Sequence, residues 1–506
     1  MCGFFITNNP QVNMQHEALV EQSLRFRGPD CSSGLIDIDN GWLAYHSRLS
    51  IIDLSTGVNQ PVVGQSGTLV FNGEILNYVE LGLKYFEQQY KSDTALLYDL
   101  IAEERLDLNE LDGFFAFVFI DAKGNLSHAA RDKFGVKPLF YHQENGYWSF
   151  SSEPYLLKQL FNCPINTQAE QEYYSVRAPI FSQSYFVGVK QVESGHCLIA
   201  GEYFNCLDHI RQSYDKLDLN LVDDALKRGL STRLVSDAPV GLLLSRGVDS
   251  HLLKSLGNFD KLYSIGFSGD EDIEYLKQRG YPNVALVEAT PEQYLEDFNH
   301  LLKLRGEPMS VPNEVLLYRV SRVAASEGIK VLLSGEGADE FFAGYDRIFK
   351  WAAQAEHFDL DKFLELYCYI APERQSTLYQ TFEQLFQALP ETTPFETVRW
   401  YFIKHHMPVL FRRLDFALMA AGIEGREPIA NFHTFTVAMS IDPQDLMGEL
   451  LGKYPLRHII SCYMGEEFAF ETKVGFPVDL TKIFDNPLGL SSYELWFKKN
   501  LEVLGS

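Results

Sequence analysis

Residues 238–250 read APVGLLLSRGVDS, which predicts a buried strand, a small polar turn and the first turn of a helix. Small residues in such a turn let backbone N–H groups approach an anion, and the N-terminus of the helix adds its dipole. Asp249, just inside the helix, is placed to reach a bridging Mg²⁺. The Walker loop G-x-x-x-x-G-K-[ST] is absent from the sequence, so the stretch predicts a phosphate cradle of another kind.

Outward from this stretch, the sequence after about residue 200 alternates long helical periods with short apolar runs such as KLYSIGFSG and IKVLLSGEG. That alternation predicts an α/β domain with a parallel sheet, and the region 359–413 adds extra helices. The first two hundred residues instead carry short alternating runs between turn residues, with helices expected at 14–25 and 78–90. They predict a layered α+β domain, and we place the boundary so that the domains are 1–200 and 201–506.

Composition and charge exclude several classes of partner. The net charge of −25 would repel the phosphates of nucleic acid and an anionic membrane surface, so we expect neither as a partner. The seven cysteines include no C-x-x-C pair, which fits a reducing compartment, and the sequence contains no signal peptide and no membrane-spanning apolar run. We therefore expect a cytoplasmic protein that binds small molecules. The sequence leaves the oligomeric state open, a homodimer included.

The chain opens with Met-Cys-Gly, and removal of Met1 would leave Cys2 with both a thiol and a free α-amino group. An unperturbed α-amine has a pKa of about 7.7–8.0, so it could accept the thiol proton near neutral pH and later deliver it to a leaving ammonia. A cysteine at position 2 is also compatible with chance. The segments that follow it therefore decide between the two interpretations.

Those segments are RGPD at 27–30, HSRLSIID at 46–53, FNGEI at 71–75 and SDT at 92–94. Together with Cys2 they resemble the class II, N-terminal nucleophile glutaminase domains of asparagine synthetases. The resemblance implies that an arginine fork holds the glutamine α-carboxylate, that two acidic residues receive the α-ammonium, and that an Asn side chain and a Gly N–H form the oxyanion hole. The implied catalytic residues are Cys2, Asn72 and Gly73, and the implied glutamine-binding residues are Arg48, Leu49, Ser50, Ile51, Ile52, Asn72, Gly73, Glu74 and Asp93.

The second half of the chain carries matching synthetase motifs. SRGVDS at 245–250 resembles the S-G-G-x-D-S loop of ATP pyrophosphatases that adenylate their substrates, and SGEGADEFFAGY at 334–345 is similar to a block of asparagine synthetases. The resemblance implies that Glu336 serves proton transfer with the attacking ammonia and that Lys473 neutralises charge on the α-phosphate. It implies Asp249 and Asp339 as metal ligands, and it implies as ATP-binding residues Leu244, Ser245, Arg246, Gly247, Val248, Asp249, Ser250, Ile265, Ser334 and Gly335.

Two features qualify this resemblance. Arg246 replaces the first glycine of the pyrophosphate loop, where a side chain could either strain or block the loop or add a guanidinium contact to pyrophosphate. AGIEGREP at 421–428 is similar to a G-[IV]-E-x-R-x-P element, and we interpret its Glu and Arg as a packed ion pair. Arg246 therefore decides whether adenylation is intact.

The resemblance implies a glutamine-dependent amidotransferase that uses ATP and Mg²⁺. Ammonia from glutamine would attack an acyl-adenylate of a carboxylate, which gives an amide, AMP, pyrophosphate and glutamate, with aspartate to asparagine as the default. The acceptor region RGEPMSVPNE at 305–314 keeps the E-P pair but lacks the D-P-S-A-I-P-T pattern that follows it in many bacterial asparagine synthetases. A sugar uronic acid or a natural-product precursor therefore stays open as acceptor. Ring closure of the β-lactam synthetase type is disfavoured by Cys2. The alternative from another class is a glutaminase or binding scaffold in which Arg246 has silenced adenylation.

Overall fold

The computed structural model describes residues 2–38, 40–210, 214–448, 451–471 and 478–505. Within these residues the N-terminal half is built from short strands that pair antiparallel throughout. The strands are β1 Cys2–Thr7, β2 Cys31–Asp37, β3 Leu43–Arg48, β4 Val62–Gly64, β5 Gly67–Ile75, β6 Gly113–Asp121, β7 Leu126–Arg131, β8 Phe140–Glu144, β9 Tyr147–Ser151, β10 Val189–Gln191, β11 His196–Cys197 and β12 Gly201–Glu202. They form two sheets with the orders β10-β8-β9-β1-β3-β2 and β12-β11-β7-β6-β5-β4.

The two sheets pack face to face with helices on both outer surfaces. Alternate residues of β1 point to opposite faces, so Phe4 and Ile6 meet Val70 of β5 and Val118 of β6 in the central core, whereas Phe5 packs outward. The outer helices are α1 Glu17–Leu24, α2 Tyr78–Phe86, α3 Asp93–Ala102, α4 Pro154–Phe161 and α5 Thr167–Val176. This four-layered arrangement confirms the expected layered α+β fold.

The C-terminal half contains a parallel sheet with the strands β13 Val240–Leu243, β14 Lys261–Phe267, β15 Val284–Ala289, β16 Val331–Leu333 and β17 Glu424–Arg426. Its order is β15-β14-β13-β16-β17, and every pairing in it is parallel. The order reverses direction at β13, so the carboxyl ends of β13 and β16 lie side by side. In an open α/β sheet a ligand crevice forms at such a point.

Helices surround this sheet as the sequence predicts. They are α6 Leu207–Ile210, α7 Leu219–Arg233, α8 Val248–Leu256, α9 Glu271–Arg279, α10 Pro291–Arg305, α11 Asn313–Ser326, α12 Ala338–Phe341, α13 Asp346–Gln354, α14 Leu360–Tyr367, α15 Thr377–Gln387, α16 Pro394–Tyr401, α17 Met407–Met419, α18 Phe432–Ser440, α19 Pro443–Met447, α20 Tyr454–Met464, α21 Glu466–Ala469 and α22 Ser492–Leu504. Short 3₁₀ turns occur at Met14–His16, Arg25–Arg27, Thr56–Val58 and Leu480–Lys482, and Phe402–His406 forms a π-helical turn. None of the helices found in the described ranges has the length and apolar character that a bilayer crossing requires.

The helix expected at 78–90 ends earlier, at Phe86, because Glu87 adopts the left-handed conformation with φ +53° and its N–H bonds back to the carbonyls of Gly82 and Leu83. A non-glycine residue in that conformation closes a helix, and propensity alone does not reveal it. The remaining residues up to Tyr90 form no helix.

Buried ion pairs join the two halves of the molecule. Arg27 contacts Asp415 at 2.8 Å, and Arg412 contacts Glu153 at 2.6 Å, with all four side chains almost fully buried. One continuous apolar cluster also contains Leu49 of the first half together with residues of the second. These contacts hold the two sites described below in a fixed mutual orientation.

Candidate functional site

Cys2 begins β1, in the interior of the N-terminal half, and is 5% exposed. Its backbone nitrogen donates a hydrogen bond to Oδ1 of Asn72 at 2.9 Å. Burial opposes ionisation of the thiol, but the His46 imidazole beside it lowers the pKa of Cys2 to about 7. The thiol is therefore set to ionise near neutral pH, as a nucleophile requires.

Two hydrogen-bond donors lie beside Cys2 on β5. Nδ2 of Asn72 is buried and has no hydrogen-bond partner among the described residues, although most buried polar groups in proteins are satisfied. Gly73 has φ +135°, and a Cβ there would lie 2.1 Å from the carbonyl oxygen of Phe114, so only glycine fits. The arrangement leaves an unused donor next to the thiol, where an oxyanion could accept from it.

Arg48 is the strand partner of Cys2 in the β1–β3 register. Its guanidinium donates to the carbonyl oxygen of Ser55 at 2.7 Å and to Oδ1 of Asn59 at 2.9 Å, and it also contacts the carbonyls of Ile52 and Asp53. These bonds tie Arg48 to the loop after β3, at the rim of a cavity of about 480 Å³ that Ser50 also lines. Its contact with a glutamine carboxylate stays a prediction.

The other predicted residues of this segment are mainly part of the core. Leu49, Ile51 and Ile52 are buried in the apolar cluster that spans both halves. The backbone N–H of Ser50 donates to the Asp30 carboxylate at 2.8 Å. The structure thus places these residues beside the site without giving their side chains a polar contact to it.

Glu74 and Asp93 lie close together and are both buried. Burial raises the pKa of Asp93 to about 6, although the backbone N–H groups of Ile75 and Thr94 donate to it at 3.1 and 2.7 Å. Burial also raises the pKa of Glu74, against the opposing effect of Arg426 from β17, whose guanidinium contacts its Oε2. Burial makes the charged form of both carboxylates costly, so a ligand ammonium group beside them would stabilise it.

The second site lies at the carboxyl ends of β13 and β16, as expected for the phosphate cradle. A cavity of about 300 Å³ opens there. Its lining includes many of the predicted residues, namely Leu244, Ser245, Asp249, Ser250, Ile265, Ser334, Gly335, Glu336 and Asp339. A Cβ at Gly335 would lie 2.8 Å from Cβ of Asp249, so glycine allows the two loops to touch. The structure therefore brings most of the predicted ATP-binding residues around one cavity, although Arg246, Gly247 and Val248 do not line it.

Lys453 lies between the two carboxylates that the sequence predicts as metal ligands. Its Nζ contacts Oδ2 of Asp249 at 2.8 Å and Oδ1 of Asp339 at 2.7 Å. The two carboxylates raise the pKa of Lys453 far above its usual range despite the opposing effect of burial. Sequence reasoning missed this lysine, and its unusual φ of +60° just before α20 could not be inferred from the sequence.

Arg246 points away from the cavity. Its guanidinium forms ion pairs with Glu271, at 3.0 Å, and with Glu471, and it lies over the ring of Tyr275. The backbone of Arg246 does not adopt a positive φ, so a side chain at this position causes no conformational strain. In this arrangement the Arg246 side chain therefore does not obstruct the pyrophosphate loop.

Glu336 forms an ion pair with Arg413 of α17, and both residues line the cavity. Nε of Arg413 is buried and has no hydrogen-bond partner among the described residues. Arg413 was also missed, because it lies in a helical stretch whose sequence carries no recognisable motif. Lys473, which the sequence predicts as a catalytic residue, lies outside the described residues.

Two family models match the chain. The model described as asparagine synthase matches residues 221–504, and the model described as glutamine amidotransferase domain matches residues 1–207. The first alone covers more than half of the sequence. The chain belongs to the asparagine synthase family.

Named relatives agree with this assignment. The chain is 32% identical over 381 residues to asparagine synthetase [glutamine-hydrolyzing] 1 of Bacillus subtilis, covering 68% of this chain and 59% of that protein. It is 28% identical to putative asparagine synthetase [glutamine-hydrolyzing] 1 of Methanocaldococcus jannaschii, covering 89% and 82% of the two chains. It is 26% identical to asparagine synthetase B [glutamine-hydrolyzing] of Escherichia coli, covering 94% and 81%. A solved structure titled as the allosteric regulatory enzyme of purine biosynthesis overlaps at a TM-score of 0.31 and 14% identity, over 58% of this chain and 81% of its own.

The asparagine synthase cavity has a donor set that fits Mg²⁺ bound together with phosphates. Among the described residues no group of three or more His, Cys, Asp and Glu side chains gathers to hold a metal by itself. Oδ1 of Asp249 is nevertheless buried without a hydrogen-bond partner within those residues, and Asp339 faces it across Lys453. Mg²⁺ typically takes one or two carboxylates and completes its shell with phosphate oxygens and water. Asp249 and Asp339 are therefore the residues that would hold it.

Proposed function

We propose that the protein is a glutamine-dependent amidotransferase that releases ammonia from glutamine at Cys2 and uses it, with ATP, to amidate a carboxylate. Aspartate is the default acceptor, with asparagine, AMP, pyrophosphate and glutamate as products. The observation that carries the proposal is the pairing of Cys2 with Asn72, whose Oδ1 holds the Cys2 nitrogen while its buried Nδ2 is left without a partner among the described residues. A structural asparagine would satisfy that donor.

In the first half-reaction the Cys2 thiolate attacks the side-chain carbonyl carbon of glutamine. A C–S bond forms, and the carbonyl oxygen becomes an oxyanion that accepts from Asn72 Nδ2 and the Gly73 N–H. The α-amine of Cys2, once Met1 is removed, gives a proton to the departing ammonia. Water then hydrolyses the thioester to glutamate. Arg48 and Asp93 bind the α-groups of glutamine throughout, away from the reacting bond.

In the second half-reaction an acceptor carboxylate oxygen attacks the α-phosphorus of ATP, and pyrophosphate leaves. Asp249 and Asp339 would hold Mg²⁺, which would neutralise charge on the phosphates. Lys453, released from those two carboxylates, is a mobile ammonium at the same place and can follow the leaving pyrophosphate. Ammonia then attacks the acyl carbon, AMP leaves, and Glu336 accepts the surplus proton.

Arg413 supports aspartate as the default acceptor. Its guanidinium lines the same cavity as Glu336, and its Nε is a buried donor without a hydrogen-bond partner in the described part of the chain. An acceptor with a second carboxylate, such as aspartate, would give that guanidinium a second anionic partner beside Glu336. A sugar uronic acid or a natural-product precursor is the alternative, since the acceptor segment departs from the pattern of many bacterial asparagine synthetases.

A panel of carboxylates tests the proposal. The protein is incubated with ATP, Mg²⁺, ammonia and one carboxylate at a time, and pyrophosphate release is measured together with amide formation. We expect both with aspartate, in equal amounts. If pyrophosphate is released only with a different carboxylate, that carboxylate is the acceptor in place of aspartate. If no carboxylate gives pyrophosphate, the result favours a binding scaffold without adenylation over a synthetase. The pairing of Arg246 with Glu271 and Glu471, away from the cavity, supports an intact synthetase.

A further inference from the structure

We propose that Arg426 is a positioning residue that couples the two sites, because it holds a carboxylate of the glutamine site with its side chain and the Glu336 loop with its backbone. The inference rests on the proposed function of both sites. Arg426 lies in the motif AGIEGREP, from whose sequence we expect only a packed ion pair. The structure places that pair across the boundary between the two halves.

The side chain of Arg426 reaches from β17 into the N-terminal half. Its Nη2 contacts Oε2 of Glu74, and its Nε contacts Glu424 on its own strand. Its Nη1 donates to the carbonyl oxygens of Arg233 and Val235, at 2.7 Å each, which fixes the plane of the guanidinium. Arg426 and Glu424 are 0% exposed and Glu74 is 3% exposed, so the three charges interact without screening by water.

The backbone of Arg426 contacts the synthetase site. Its carbonyl oxygen accepts from the backbone N–H of Ser334 at 2.9 Å, directly after the β16–β17 pairing ends at Leu333 and Arg426. Ser334 is the first residue of the loop that carries Gly335 and Glu336, and all three line the ATP cavity. Arg426 is therefore bonded to both sites. A shift of its guanidinium would move the backbone that bonds to Ser334, two residues before Glu336.

Charge balance gives the coupling a direction. The guanidinium contacts two buried carboxylates, Glu74 through Nη2 and Glu424 through Nε. A glutamine α-ammonium at Glu74 adds a further cation beside that carboxylate. The attraction of Glu74 for Arg426 falls, and the guanidinium moves toward Glu424 along the strand that holds Ser334. Coupling between binding sites is reciprocal, so ligands in the ATP cavity must change glutamine affinity by the same factor.

The test compares Arg426→Lys with the matched control Arg399→Lys. Arg399 is an equally buried arginine that donates to the carbonyl oxygens of Phe341 and Ala438, at 2.6 Å each, within the C-terminal half. The measured quantity is the KM for glutamine hydrolysis, with and without saturating Mg-ATP and acceptor. Lysine keeps the charge of Arg426 but cannot reach all four partners of the guanidinium.

We expect the wild type and Arg399→Lys to show the same change in glutamine KM on addition of the synthetase ligands. Arg426→Lys should raise the KM about tenfold, or about 1.4 kcal/mol, and abolish the ligand-dependent change, while ammonia-dependent amidation stays within about twofold of wild type. A retained ligand effect in Arg426→Lys, or its absence in the wild type, would overturn the proposal. So would an equal loss in Arg399→Lys.

Glu424→Gln keeps the inference testable if Arg426→Lys does not fold. It removes the alternative partner, which fixes the guanidinium on Glu74 and should raise the glutamine KM and abolish the ligand effect as well. An unchanged ligand effect in Glu424→Gln would also overturn the proposal. The proposed function fails separately if the wild type makes no amide from ammonia. In that case the KM for glutamine hydrolysis, measured with and without Mg-ATP alone, still shows whether the coupling acts through Arg426.

Discussion

The two sites of this protein are prepared in opposite ways. The glutamine site has an unused donor, Asn72 Nδ2, beside the Cys2 thiol, whose pKa His46 lowers to about 7 against the opposing effect of burial. The ATP cavity instead neutralises its own charges, because Lys453 bridges Asp249 and Asp339 and Arg413 pairs with Glu336. The difference indicates that the reacting groups of the first site, the thiol and its oxyanion donor, are organised before the substrate arrives. The second needs an incoming ligand to replace ion pairs that already exist.

The largest expected effect separates the two sites altogether. Cys2→Ala should lower glutamine-dependent amide formation by at least about a thousandfold, because the nucleophile is lost, and leave ammonia-dependent amidation intact. Amide formation is measured with each nitrogen source in turn. Unchanged glutamine-dependent activity in Cys2→Ala would show that the N-terminal half is not the source of the nitrogen.

Lys453→Met tests whether the ATP cavity depends on its internal cation. Two partly exposed carboxylates would then face each other without an ammonium between them, and solvent screening makes the cost smaller than the about 3–5 kcal/mol for a fully buried ion pair that loses one partner. We expect pyrophosphate release to fall about a hundredfold while glutamine hydrolysis without synthetase ligands is maintained. The control is Lys404→Met, which removes a lysine that also contacts two carboxylates, Glu193 at 3.7 Å and Glu202 at 3.3 Å, outside the cavity.

For Lys453 the decisive comparison is between the two lysine variants. If Lys404→Met lowers pyrophosphate release as much as Lys453→Met does, the loss reflects general destabilisation, and Lys453 has no special role in the cavity. Thermal unfolding of both variants gives the stability against which the activities are judged.

Asp93 gives the glutamine site a pH dependence of known sign. Its pKa is raised to about 6, so it loses its negative charge as the pH falls through that value and can no longer attract the glutamine α-ammonium. Glutamine binding to the Cys2→Ala protein, which removes the thiol titration, should weaken below about pH 6 by up to about 2 kcal/mol, the lower end for a buried charge-assisted contact. Calorimetry at several pH values measures it. Asp93→Asn should bind weakly at every pH, and a wild-type-like pH profile in that variant would assign the titration to another group.

Arg246→Gly carries the smallest expected effect. The guanidinium pairs with two largely exposed glutamates, and such surface pairs contribute about 0.2–1 kcal/mol. The KM for Mg-ATP should therefore change less than about fivefold, in either direction, and pyrophosphate release should persist. A large loss of ATP binding would instead mean that Arg246 turns to the phosphates when they are present, and a large gain would mean that it obstructs them. Arg246→Lys keeps the positive charge but loses the planar guanidinium, so it shows which of the two matters.

The comparison also shows what the sequence could predict. Strand periodicity is sufficient for the fold class of both halves. The motifs around Cys2, Asn72 and Asp249 predict site residues of which the structure brings many together, although Arg246, Gly247 and Val248 do not line the ATP cavity. Lys453 and Arg413 were missed because long-range ion pairs leave no local pattern, and their partners are distant in sequence. The early end of α2 depends on a left-handed Glu87, which propensity does not encode. The boundary near residue 200 and the role of Lys473 stay predictions.

The central claim is that one chain passes nitrogen from glutamine to an ATP-activated carboxylate. Glutamine labelled with heavy nitrogen in its side-chain amide tests this most directly, with aspartate and Mg-ATP present and no ammonium added. The account predicts that the label enters the product amide, in an amount equal to the pyrophosphate released, and that both depend on Cys2. Label that remains in free ammonium while pyrophosphate is not released would contradict it.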